Sequence, residues 1–317
     1  MAIEILLIQG WSLGSVYALV GFGFVATYKT NKVLNFTLPF LGAAGALILS
    51  SLVSDGGFGI NRLRGKNPLT SIAGHPVGWV LCLVTALVLV GAIGALVERL
   101  VIRPLSGRSP FILTMATLAG ALILEVVVGH APISRRLAMP WGTASIGIDG
   151  ADVSVSTLVI CVLAPAVLVG VAGFNRTWFG IAARAMANDE EAAVSMGINR
   201  SRVMATAWAL AAALGMLAAL AFAVPPLGAG IFATRSMPSL FFRAIPVLAI
   251  GGWDSYGGVY VAGITIGLMQ VMVGGLWGEY ASFLGGGYTT ILPYIVMLVV
   301  LMIRPTGVFG QAAVRRV

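Results

Sequence analysis

Charge is scarce in this 317-residue chain: Asp, Glu, Lys and Arg make up 9% of it, against about 25% in a soluble globular domain. That shortage excludes an ordinary water-facing surface. The two cysteines, Cys82 and Cys161, each lie inside an apolar run, which excludes a disulfide framework and a thiolate metal site. They read as small buried hydrophobes. The two histidines, His75 and His130, stand at the ends of apolar runs with no Cys, His or carboxylate at ligand spacing, so they read as interfacial polar residues. Neither a Ser-His-Asp nor a Cys-His set is present, and no run holds paired carboxylates, so an enzymatic active site is not expected. GINRLRGKN (59–67) looks at first like a phosphate-binding loop. It has five residues between Gly59 and Gly65-Lys66 where four are required, and Asn67 where a Ser or Thr would hold magnesium. The chain is therefore expected to carry no nucleotide, metal or other cofactor of its own.

What it has is apolar length. Hydrophobic residues make up 59% and the mean hydropathy is +0.99. Apolar runs fall at 5–28, 33–54, 77–98, 110–129, 156–174, 203–224, 239–277 and 289–303. A membrane span needs about 20 such residues, and all but one run have single-span length. The exception, 239–277, is interrupted by GGWDSYGG (251–258) and reads as two spans, or as one span plus a re-entrant half-helix facing the bundle interior. MAIEILLIQGWSLGSVYALVGFGFVATY lacks an early basic residue and reads as a retained first helix, not a leader. The expectation is one transmembrane domain over 1–317: an all-α polytopic helical bundle of about eight to nine spans. Gly10-x-x-x-Gly14, Gly91-x-x-Gly94 and Gly263-x-x-x-Gly267 have spacings that suit close helix packing in lipid.

The net charge of +8 does not mark a nucleic-acid binder, because the basic residues sit at run ends and not on one face. They read as topology signals facing the cytoplasm and anionic membrane lipid. This puts RLVIRPLSGR (99–108), the 175–202 loop and Arg304, Arg315 and Arg316 inside. If 239–277 crosses twice, Lys29 and Lys32 are inside too, and Arg62, Arg64, Lys66, Arg135 and Arg136 are outside. Glu125 is the main charge within a run, near its outer end. With no deeper charge expected, the chain suits a small neutral or zwitterionic solute and has no carboxylate relay for proton-coupled carriage.

Against this apolar background, RTWFGIAARAMANDEEAAVSMGINRSRV (176–203) stands out. Helix formers run from Ile181 to Met196, Gly197 is placed to end that helix, and Asn199 to cap the next. Arg184, Asn188 and Glu191 then share one stripe, and Ala185, Asp189, Ala192 and Met196 another. The segment reads either as a solvated connector or as a thin helix that enters a partner's groove with charge at its rim.

Glu191-Ala192-Ala193-x-x-x-Gly197 resembles the EAA-x-x-x-G loop by which bacterial ABC importer permeases dock their ATPases. The likeness extends further. GWSLGSVYALVGFGFVATYKTNKVLNF (10–36), WFGIAARAMANDEEAAVSMGINRSRVMATAWALAAALGMLAAL, AIPVLAIGGWDSYGGVYVAGITIGLMQ and PYIVMLVVLMIRPTGVFG are similar, in that order, to segments of branched-chain amino acid permeases. The resemblance implies a permease subunit of an ATP-driven importer in the bacterial inner membrane. It would work with a second homologous permease, two cytoplasmic ATPases that bind ATP and Mg, and an extracytoplasmic solute-binding protein. By the same resemblance Arg184, Asp189, Glu190, Glu191, Ala192, Ala193 and Gly197 are expected to couple to the ATPase. Asn35, Thr37, Gly251, Gly252, Ser255 and Gly257 are expected along the translocation path. One stretch departs from the family. After Asn35-Phe36 the family often has a small residue and then His-Gly-Glu or Gln-Gly-Glu, where this chain has Thr37-Leu38-Pro39-Phe40. The departure leaves urea, amide, sugar or nucleoside permeases of the same superfamily as alternatives. A stand-alone carrier or channel, the alternative from another class, has no use for a docking loop.

Overall fold

In lipid a backbone must satisfy its own hydrogen bonds, so long apolar runs fold as helices. The computed structural model describes residues 3–53, 76–130, 137, 139–148, 151–228, 230, 236–276 and 287–310. His75, the 59–67 stretch, Arg62, Arg64, Lys66, Arg135, Arg136, Arg315 and Arg316 lie outside the described residues. The helices are α1 (Ile3–Asn31), α2 (Leu38–Val53), α3 (Pro76–Val97), α4 (Pro110–His130), α5 (Val155–Phe174), α6 (Trp178–Asn188), α7 (Glu190–Ser195), α8 (Arg200–Ala223), α9 (Met237–Gly251), α10 (Tyr256–Leu276) and α11 (Tyr288–Ile303). A π-helical turn, Glu98–Ile102, and a 3₁₀ turn, Arg103–Leu105, continue α3. One short antiparallel pair, β1 (Ser145–Ile148) and β2 (Ala151–Ser154), lies between α4 and α5.

The protein is an all-α, multi-pass membrane bundle. Six helices among the described residues are long and apolar enough to cross a membrane, and α2, α9 and α11 are shorter apolar helices. The expected eight to nine full spans are corrected to these six. The run at 33–54 is helical only from Leu38, because the chain between α1 and α2 turns through a positive φ of 56° at Lys32. The run at 239–277 divides into the 15-residue α9 and the 21-residue α10.

The α1 helix is the centre of the bundle, with 78% of its apolar window buried. It meets α10 through the two glycine pairs singled out in the sequence. A Cβ on Gly14 would stand 2.6 Å from the Gly263 carbonyl oxygen, and one on Gly267 would stand 2.3 Å from the Gly14 nitrogen. The backbones are in contact there, and such close packing, together with interhelical hydrogen bonds, holds helices together in lipid. Gly42 of α2 meets Gly215 of α8 in the same way. Large apolar side chains point outward instead on the peripheral helices, as at Val84 and Val88 of α3, Ile123 and Val127 of α4, and Leu298 and Met302 of α11. Such a surface suits lipid and not water.

Several of the described basic residues border clefts at one end of the bundle. Lys29, Asn175, Arg184 and Tyr256 border one cleft there, and Glu98, Arg103 and Arg200 another. The glycine break at 251–258 lies at this end, not in the bundle interior as expected. Asp254 and Ser255 share a cleft with Lys29 and Phe309, and the Val308 amide donates to the Ile250 carbonyl at 2.7 Å. The run holds one helix of spanning length, α10, and one shorter apolar helix, α9, joined by a turn, so it does not make two full spans.

Candidate functional site

The acidic segment forms two helices, α6 and α7. The expected single helix over 181–196 breaks at Asp189, whose φ of −153° and ψ of 101° are extended. Asp189 Oδ1 accepts the Ala192 amide at 3.1 Å, so the residue acts as an N-cap, a place where a short acidic side chain competes with helix continuation. The stripes drawn across Asp189 therefore do not form. At the far end the Ile198 amide donates to the Ala193 carbonyl at 3.1 Å and the Gly197 amide to the Val194 carbonyl at 2.9 Å, with Gly197 at φ +87°. This is a Schellman ending, and it needs a residue at ease in the left-handed region. Asn199 Oδ1 then accepts the Arg202 amide at 3.1 Å and starts α8.

Side chains divide this segment into an inner and an outer face. Ala193 is buried with Ala182, Met186, Val203 and Met204, so it anchors α7 to the bundle. Ala192, Glu191, Val194 and Met196 face outward, Met196 being 84% exposed. Glu190 pairs with Arg200 at 2.7 Å and ties α7 to the start of α8. The Arg184 guanidinium donates to the Asn175 carbonyl, and Gly180 lies directly on the Asn175 backbone. Hence α6 is clamped to the end of α5. The Glu191 carboxylate lies on the outer face with the exposed Val194 and Met196.

The residues expected on the path separate into two places. Asn35 and Thr37 are fully buried in the segment that leads from α1 back into the bundle. Val33 packs there with Ile102, Leu113 and Trp208, and Leu38 lies against Gly23 of α1 and Gly215 of α8. Non-helical backbone at such depth is tolerated only where protein satisfies it. Asn35 Oδ1 accepts the Thr37 amide at 3.1 Å and also its hydroxyl. Thr117 of α4, not noticed in the sequence, accepts the Phe36 amide at 3.2 Å and lies 2.8 Å from the Leu34 carbonyl. Nothing near it in sequence signals this role, because the contact joins segments some eighty residues apart. The other four residues form the turn at the basic end. Gly251 packs on the Val259 backbone, Gly252 has φ +90°, Ser255 Oγ accepts the Gly258 amide at 3.0 Å, and Gly257 has open space.

Glu125 is half-buried on α4, whose last residue, His130, bonds the Val126 carbonyl at 2.9 Å. The expectation that no deeper charge exists is corrected by Arg243 on α9. A single Arg in SLFFRAIPVLAIG is visible in the sequence, but averaging over a long apolar run conceals it.

The family model described as the permease component of branched-chain amino acid transport systems matches residues 6–302. The chain is 24% identical to the high-affinity branched-chain amino acid transport system permease protein BraD of Pseudomonas aeruginosa, over 98% of this chain and 97% of that one. It is 23% identical to LivH of Escherichia coli, a permease protein of the same kind of system, over 98% and 96%. It is 29% identical to a probable branched-chain amino acid transport permease protein of Methanocaldococcus jannaschii, over 93% and 89%. No solved structure matches significantly.

Proposed function

The chain belongs to the family of permease components of branched-chain amino acid transport systems, and on that premise we propose that it is a membrane subunit of an ATP-driven importer of branched-chain or other amino acids. It stands in the bacterial inner membrane beside a second, homologous permease. Two cytoplasmic ATPases hold the ATP and Mg, and an extracytoplasmic binding protein delivers the solute. The single observation that carries this reading is the outer face of α7. A two-ended, capped helix of six residues anchors itself through Ala193 and turns Glu191, Ala192, Val194 and Met196 away from the bundle. A narrow apolar face with one carboxylate at its rim is what a groove on a partner protein accepts.

Movement of the ATPases would then reach the bundle through two attachments. One is Arg184 and Gly180 on Asn175 at the end of α5; the other is Glu190 on Arg200 at the start of α8. We place the route beside the buried link between α1 and α2 that holds Asn35 and Thr37, with Gly251, Gly252, Ser255 and Gly257 at its ATPase-side end. The test is uptake of leucine, urea and ribose by liposomes that hold the complete transporter with its binding protein. ATP-dependent leucine uptake is the expected result. Uptake of ribose alone would overturn the amino acid assignment, and leucine uptake independent of ATP would overturn the importer.

A further inference from the structure

A cleft of about 430 Å³ opens at the end of the bundle beside α6. That volume lies within the roughly 300–1,000 Å³ of small-molecule sites. Lys29 of α1, Leu168, Ala172 and Asn175 at the end of α5, Asp254 of the turn before α10, and Phe309 line it.

Two opposite charges border this cleft without meeting. Among the described residues the ion pairs are Arg103–Glu98 and Arg200–Glu190, and the side chains of Lys29 and Asp254 make no hydrogen bond. Each is fixed by its own element. The Lys29 ammonium stands 5.3 Å from the centre of the Tyr256 ring, an attraction that holds a cation without neutralising it. Asp254 belongs to the turn that begins at Gly252 with φ +90°, and Trp253 pins this turn to Tyr28, the two rings 5.5 Å apart. Both charged residues are half-buried. A charge drawn part-way out of water and left without a partner is costly, so each has room to gain from a ligand.

The pairing of signs selects that ligand. A bare anion such as phosphate would gain Lys29 but meet repulsion from Asp254, and a bare cation the reverse. A small molecule that carries both charges satisfies both through charge-assisted hydrogen bonds. Leu168 and Ala172, one turn apart on α5, and Phe309 add apolar wall for an aliphatic part. We propose that this cleft holds the amino acid on the ATPase side of its route, its carboxylate on Lys29 and its ammonium on Asp254. This rests on the reading that the chain moves amino acids. Asn175 joins the site to the docking segment, because its carbonyl takes the Arg184 guanidinium of α6. Movement of α6 therefore shifts one wall of the site.

Thiol protection on the complete transporter tests the proposal. With Cys82 and Cys161 replaced by Ser and Ala172→Cys added, the transporter is placed in nanodiscs without nucleotide and treated with a small, uncharged maleimide. The new thiol should react, and leucine should slow the reaction. Isocaproate, which lacks the ammonium, and leucinamide, which lacks the carboxylate, should do so at least about tenfold less well, the loss expected for one hydrogen bond to a charged group. Asp254→Asn should weaken protection by leucine about tenfold and leave that by isocaproate unchanged. Lys29→Gln should likewise spare leucinamide alone. A merely structural role for either residue would not produce this crossed pattern. Three results overturn the proposal: no labelling without leucine, which means that a partner covers the cleft; labelling that leucine leaves unchanged; and equal protection by isocaproate. A fourth is protection that follows phosphatidylethanolamine in the nanodisc, compared with phosphatidylcholine and phosphatidylglycerol, and ignores leucine, which makes a lipid head group the occupant. If the wild-type transporter takes up no leucine at all, the reading beneath fails instead.

Discussion

Between α1 and α10 a glycine lets two backbones touch, whereas at the end of α7 a glycine stands in open space. A Cβ on Gly14 would strike the Gly263 carbonyl at 2.6 Å, yet Gly197 has nothing within 4 Å and is needed for its φ of +87°. One position is selected by size and the other by handedness. The two regions differ correspondingly in how they are held. α1 and α10 are joined by continuous close packing and the buried Tyr17–Gln270 bond, while α6 and α7 are held by caps, one ion pair, the Arg184 and Gly180 contacts with Asn175 and one small apolar cluster. The first suits a part that must not give. The second suits a part that a partner moves.

Substitutions can break or sharpen this contrast. The largest effect is expected from Gly14→Leu, which forces side-chain atoms into a backbone contact and costs about 3 kcal/mol. Little inserted, folded protein should survive, as read by thermal unfolding in detergent. Gly197→Ala should be milder, about 1–2 kcal/mol, because only the left-handed conformation is penalised. The variant should insert normally and lose transport. Gly197→Asn sharpens the comparison, since Asn tolerates the left-handed region; transport should largely return there, whereas Gly14→Asn should be no better than Gly14→Leu. Asp189→Ala removes the α7 cap and should cost about 1 kcal/mol, seen as faster proteolysis between α6 and α7 with the bundle intact. Glu190→Gln is the smallest change. An exposed pair contributes at most about 1 kcal/mol, so its effect on uptake should fade as salt rises.

The ends of the acidic segment were legible in the sequence because they follow from local chemistry. Gly197 and Asn199 act within a few residues of themselves, and their roles in the turn and in the α8 cap match the sequence reading. Asp189 was read less well, because the same acidic residue serves a helix interior or an N-cap, and only its bond to the Ala192 amide decides. The glycine spacings pointed to close packing but not to a pairing, since Gly14 and Gly263 meet across most of the chain. The buried link between α1 and α2 was hidden for a similar reason. Its backbone is satisfied by Thr117, which no local pattern connects to Phe36. The surroundings of Arg243 were hidden too, because the Tyr294 hydroxyl that bonds the adjacent Phe242 carbonyl comes from another helix.

The central claim is that the outer face of α7 is the dock through which ATP hydrolysis reaches this permease. Retention of the ATPase subunits by Glu191→Ala, measured on complexes purified through the permease from membranes with equal amounts of inserted protein, tests it most directly. Truncating one partner of a charge-assisted interface contact costs about 2–5 kcal/mol, so the variant should insert like wild type yet lose most of its ATPase together with transport. ATPase retention and transport both at wild-type level would contradict the account and return α6 and α7 to the role of a solvated connector.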